Sequence, residues 1–366
     1  MEYYIALGMM LVLSWFTTQN KTDYALGVIT SQTKSFRHAF LLLLPLTFLI
    51  AFRWNVGVDS FYGNSYTLAY HEAAKGMNTR DFELGFYWLA RILASTGVPF
   101  FWFLFVQAIF FMFCVTYGIN KGSVAPVISV LVFFFLQVYF DAYSALRQAI
   151  AEGLAIVAFA KLGSEEESKK RDIVCLVLIA LAALFHLISI LYFIVYLFCR
   201  VHFDKKTYIS IAVVATIAYP ITQIVLRYAM QLVTGGRYQY SGFASSYAIL
   251  TGVVLVVCII NYDVIIGMNP RSYFYLNAAL IGFILMLNSN ALMLPFRVFD
   301  AIKVGYLFII PYAFKSCRKP IDKLVYQLLI VVLLGLWFYS SFYMKDNVMA
   351  DYNSVFPVWS TATKLP

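Results

Sequence analysis

Apolar runs of fifteen or more residues recur from Tyr3 to Tyr343, separated by short polar stretches, and runs of that length predict helices that enter a bilayer. The alternating ten-residue segments of a β-barrel are missing, so the backbone must be satisfied within helices. Spans are predicted at roughly 3–18, 38–52, 99–117, 124–140, 145–161, 207–228, 243–262, 272–288, 291–314 and 324–343. Residues 172–200 are apolar between two basic flanks, which predicts a helical pair turning near Phe185 and His186. Residues 83–97 differ. There Glu83, Tyr87 and Arg91 recur at i, i+4 and i+8 in an amphipathic pattern, which predicts an external interfacial helix. The expected fold is all-α: one polytopic membrane domain over 1–366 with about twelve transmembrane helices and external segments at 53–98 and 229–243.

Composition agrees, with 62% hydrophobic and 12% charged residues against about a quarter charged in a soluble domain. A water-soluble enzyme is excluded, and no nucleic-acid partner is expected. The net charge of +9 is mostly topological, since Lys21, Lys34, Arg37, Lys121, Lys161, Lys169, Lys170, Arg171, Arg200, Lys205, Lys206, Arg271, Lys315, Arg318, Lys319 and Lys323 fall in alternate loops that mark the cytoplasmic side. Both termini are then outside. The opposite parity would make 83–97 cross and 172–200 a single long span, leaving His186 mid-membrane. Most of the 34 Phe, 27 Tyr and 6 Trp read as interface belts. The first segment has an acidic flank and no A-x-A site, so it reads as an uncleaved span. The five cysteines form no CxxC and no pair in an external loop, and neither a disulfide nor a metal site is expected.

Ionisable groups at the edge of hydrocarbon are costly and usually face an interior cavity. In FRWNVGVDSFY, residues 52–62, Arg53 ends an apolar run and Asp59 and Tyr62 follow Gly57. Arg53 suits phosphate oxygens or simply snorkels at a helix end, and Asp59 is otherwise a turn or cap residue. Arg147, Gln148 and Glu152 open a later helix, with Gln148 and Glu152 on one face. Such a trio would not face lipid, though a structural salt bridge is the bland reading. His186 stands alone in LAALFHLISILYF. It is either an interhelical hydrogen-bonding group or a general base, because imidazole titrates near neutral pH. Arg297, Asp300 and Lys303 lie three residues apart on a late helix, where Asp300 can partly neutralise Arg297. GGRYQYSGF at 235–243 adds Arg237 and Tyr238 in an external loop whose bland reading is solvation. Four arginines with few matching carboxylates would together attract a polyanionic headgroup such as a lipid diphosphate.

The series Arg53-x3-Gly57-x-Asp59-x2-Tyr62, Glu83-x-Gly85-Phe86, Leu146-Arg147-Gln148, Phe185-His186, and Arg297 in a penultimate span ending near Pro311 resembles the EpsG-type, Wzy-like polysaccharide polymerases from about residue 3 to 343. The resemblance implies a bacterial inner-membrane, metal-independent glycosyltransferase with no cofactor. It would join undecaprenyl-diphosphate-linked oligosaccharide repeat units into a surface polysaccharide at the external face, in a glycosyltransferase-C-like arrangement, beside a flippase and a chain-length regulator. On that reading Arg147 and Arg297 hold the donor diphosphate, Arg53 and Arg237 hold the second phosphate or the acceptor lipid, and Tyr62, Gln148 and Tyr238 add contacts. The base is His186, then Asp59, then Glu83, unless Glu83 pairs with Arg91. A lipid-linked sugar flippase and a membrane acyltransferase acting on the same polysaccharide are the alternatives.

Overall fold

The computed structural model describes residues 32–342 apart from 55, 57–64, 80, 165, 199, 234–244, 292–294 and 317–319, together with scattered positions before residue 14. Every regular element described is helical. In chain order these are α1 (Gln32–Ala51), α2 (Ser65–Ala74), α3 (Leu84–Ser95), α4 (Phe100–Gly122), α5 (Pro126–Phe135), α6 (Val138–Ser144), α7 (Leu146–Ser164) and α8 (Lys169–Phe185). They continue with α9 (Leu191–Phe198), α10 (Lys205–Val233), α11 (Ser245–Ile260), α12 (Tyr262–Met268), α13 (Tyr273–Leu287), α14 (Pro295–Ser316) and α15 (Pro320–Phe342).

The centre of the bundle is α7. Between Leu146 and Gly163 most of its side chains are buried, and many are small: Ala149, Ala151, Gly153, Ala155, Ala158 and Ala160. A helix that is apolar on all sides belongs inside, and small residues let neighbouring helices approach closely within a membrane. One such approach is at Gly118 of α4, where an added Cβ would collide with the Ile156 side chain. At the periphery α10 shows the opposite pattern: Ile217 and Ile224 are 74% and 71% exposed. Water would penalise such a surface and lipid does not, so α10 has a lipid-facing exterior.

Three described helices are long and apolar enough to cross a bilayer: Phe100–Gly122, Lys205–Leu232 and Pro270–Leu287. A fourth is reached if Ser246–Ile260 and Tyr262–Met268, bent by 78°, are one broken span. The expected twelve crossings are therefore not all continuous helices of full length. Physical breaks explain part of the difference. The predicted span 124–140 is divided where Gln137 adopts a left-handed φ of 62° between α5 and α6. The expected turn near Phe185 and His186 is present as a break: α8 ends at Phe185, His186 is extended (φ −153°, ψ 112°), and a 3-10 turn at Leu187–Ile190 leads into α9.

The amphipathic segment forms α3, whose twelve residues span about 18 Å, too short for the ~30 Å hydrocarbon core. Its inner face buries Phe86 and Ala90. Together with Tyr66 and Tyr70 of α2, and Phe100 and Phe103 of α4, these build a small aromatic core separate from the main one. Its outer face exposes Leu84, Trp88 and Ile92.

Candidate functional site

Glu83 stands at the N-terminus of α3, Arg147 in the first turn of α7, and His186 in the break after α8. Packing brings the three together. The α3 start is pressed onto the end of α8 at Gly85, where a Cβ would meet the Leu184 carbonyl oxygen at 2.8 Å and the Phe185 ring at 3.2 Å. Only glycine allows that approach, and it carries the neighbouring carboxylate to the break at His186. Glu83 Oε2 accepts a hydrogen bond from Arg147 Nη1 in an ion pair. Glu83 Oε1 lies 3.3 Å from His186 Nδ1 and accepts the Leu187 backbone N–H at 3.3 Å. The side chains of Arg147, Glu83 and His186 are 24%, 20% and 14% exposed, so the trio is half-sheltered yet reachable.

Arg147 is positioned from two further sides, by Tyr66 and by Phe82. Its guanidinium stacks 4.4 Å above the Phe82 ring, a cation–π contact that strengthens as water is excluded. Its Nε is buried without a hydrogen-bond partner. A buried donor left unmatched has a cost. Burial by itself would raise the Glu83 pKa, but the His186 contact, its own backbone N–H and Arg147 outweigh that and hold it at about 2. Glu83 is thus a stable anion and a poor base. It does not pair with Arg91, which instead donates to the Tyr87 hydroxyl at 3.1 Å and stacks on Trp88.

Arg53 is 2% exposed and so does not snorkel. Its guanidinium donates to Gln107 Oε1 at 2.9 Å and to the Ile50 carbonyl, and lies 5.7 Å from the Tyr143 ring centroid. To hold a phosphate it would have to exchange protein contacts. Gln148 donates to Glu152 Oε1 at 2.9 Å along the shared face. Asp300 Oδ1 accepts a hydrogen bond from Lys303 Nζ at 2.7 Å. Arg297 lies on α14 with its side chain outside the described residues, as are Asp59, Tyr62, Arg237 and Tyr238. Sequence reasoning missed the partnerships of Gln107 and Asp141. For Asp141 a signal existed: Lys303 in an apolar helix needs counter-charge, and Asp141 is an acid at the edge of another apolar helix. Among the described residues no group of three or more His, Cys, Asp or Glu is arranged to hold a metal ion.

Apolar exposed helices around a small charged site define a helical membrane protein with a half-sheltered carboxylate, guanidinium and imidazole. The EpsG family model matches residues 36–357, and the chain belongs to the EpsG family. That membership gives it a polysaccharide polymerase-like role in polysaccharide biosynthesis. No curated protein and no solved structure matches the chain.

Proposed function

We propose that this protein polymerises oligosaccharide repeat units carried on undecaprenyl diphosphate, at the external face of the bacterial inner membrane. The observation that carries the reading, beside family membership, is the convergence of Glu83, Arg147 and His186 from three distant stretches of chain. A fixed carboxylate against Nδ1 holds the imidazole proton there and leaves Nε2 as the acceptor, the logic by which a carboxylate orients a catalytic histidine.

In the proposed reaction the acceptor hydroxyl gives its proton to His186 Nε2 as its oxygen attacks the anomeric carbon of the donor sugar. The bond from that carbon to the diphosphate oxygen breaks, and the electron pair leaves with the diphosphate. Charge grows on the leaving group, where the unused donors of Arg147 stabilise it. Arg297 would share the donor diphosphate with Arg147, Arg53 and Arg237 would hold the second phosphate or the acceptor lipid, and Tyr62, Gln148 and Tyr238 would add contacts. His186 is the preferred base because Glu83 is held as a weakly basic anion, and Asp59 ranks second. A flippase and a chain-length regulator are the proposed partners in the membrane.

Replacing Arg147 by Met or His186 by Ala in cells should abolish polymer while protein level and single-unit product persist. The His186 variant should lose about 10²–10⁴-fold in rate, as for a general base. Normal polymer in a well-expressed His186→Ala strain would remove the imidazole from the reaction.

A further inference from the structure

Beneath Arg147 lies a second charged cluster that the reaction above does not use. Lys303 of α14 is 1% exposed, and its ammonium donates to both Asp141 of α6 and Asp300 of its own helix. Glu152 of α7 is fully buried and lies in electrostatic range of all three, with Oε1 accepting from Gln148 and Oε2 without a hydrogen-bond partner. Insertion of α14 does not require this much: Asp300, one turn away, already neutralises Lys303. The second carboxylate comes from a different helix, and what it adds is a tie between α14 and the α6–α7 corner.

The placement of that tie is informative. Arg147 follows Asp141 by six residues, and Arg297 precedes Lys303 by six residues on α14. The second separation is about 9 Å along α14, and the first spans the corner at Ala145 between α6 and α7. We propose that Lys303 is a positioning residue whose double ion pair sets the register of α14 against α6–α7, and so the spacing of Arg297 and Arg147 across the diphosphate. This rests on the reading of those two arginines as diphosphate ligands. Buried ion pairs are weak evidence for stability but well suited to fixing one arrangement over its neighbours. A misplacement near 1 Å can cost about 100-fold in rate.

The test uses the full-length protein in lipid nanodiscs, with Lys303→Met, Lys303→Arg and Asp141→Asn. Asp141→Asn leaves the Lys303–Asp300 pair neutral, so it covers the case in which Lys303→Met does not fold. Two readouts are taken per folded molecule: kcat and KM with lipid-linked repeat units, and the nitroxide distance between Lys161→Cys on α7 and Lys315→Cys on α14. Lys303→Met and Asp141→Asn should lower kcat by about 100-fold with KM near wild type, and should shift or broaden the distance. Lys303→Arg should restore much of both. Wild-type kcat with an unchanged distance would overturn the lock, as would an activity loss matched by loss of folded protein alone. A wild type that makes no polymer, while the distance still shifts in the variants, would overturn the polymerase reading and the catalytic role of Lys303 but not the register tie.

Discussion

At Glu83 one carboxylate accepts from two donors, the Arg147 guanidinium and the Leu187 backbone N–H, and faces His186 Nδ1 across 3.3 Å. Its pKa lies below the ordinary value of 4.5, at about 2. The stabilising contribution of such a group is complete above the unfolded pKa and fades as pH falls through the folded one. The melting temperature of wild type should therefore exceed that of Glu83→Gln above pH 5, and the margin should vanish as pH falls from about 4.5 to 2. A margin that persists undiminished to pH 2 would contradict the assignment. The residue types at this site were legible in the sequence, because a charge in an apolar run stands out. The pairing was not. Glu83 and His186 are more than a hundred positions apart, and the shared helix face at i and i+8 pointed Glu83 at Arg91, which the fold instead turns toward Tyr87 and Trp88.

At the scale of elements, the site depends on how closely α3 rests on the end of α8. Gly85→Ala would place a methyl 2.8 Å from the Leu184 carbonyl oxygen. Overpacking of this kind typically costs about 1–3 kcal/mol. The expected result is a lower melting temperature and reduced polymerisation, although Gly85 need touch no substrate. Unchanged activity would mean that α3 is not held where its carboxylate is needed. Amphipathic spacing was sufficient to find α3, and the basic flanks at both ends of 172–200 were sufficient to expect a turn near His186, where α8 ends. The left-handed turn at Gln137 was not legible, because one polar residue in FFFLQVYF reads as no more than a polar position inside a span. Near Asn261 the sequence did mark an end, at residue 262 of the predicted span, but not the short helix that continues beyond a 78° bend.

For the whole molecule, the charge pattern of the loops and the placement of α3 make one topological prediction. A cysteine introduced at Thr79, in the loop before α3, should react with a membrane-impermeant thiol reagent added to intact spheroplasts. One at Lys169, at the start of α8, should react only after permeabilisation. The reverse pattern would put the Glu83 site on the cytoplasmic side. Composition revealed the helical membrane class at once, whereas the number of crossings depends on broken and short helices whose depth in the bilayer follows from packing and not from hydropathy.

The most direct measurement is reconstitution of purified protein with lipid-linked repeat units, comparing wild type with His186→Ala and Arg147→Met. Wild type should give a ladder of polymer and release undecaprenyl diphosphate in step with each new glycosidic bond, and the two variants should give neither product. Translocation of the units without new bonds, acyl transfer in place of glycosyl transfer, or a full ladder from His186→Ala would contradict this mechanism.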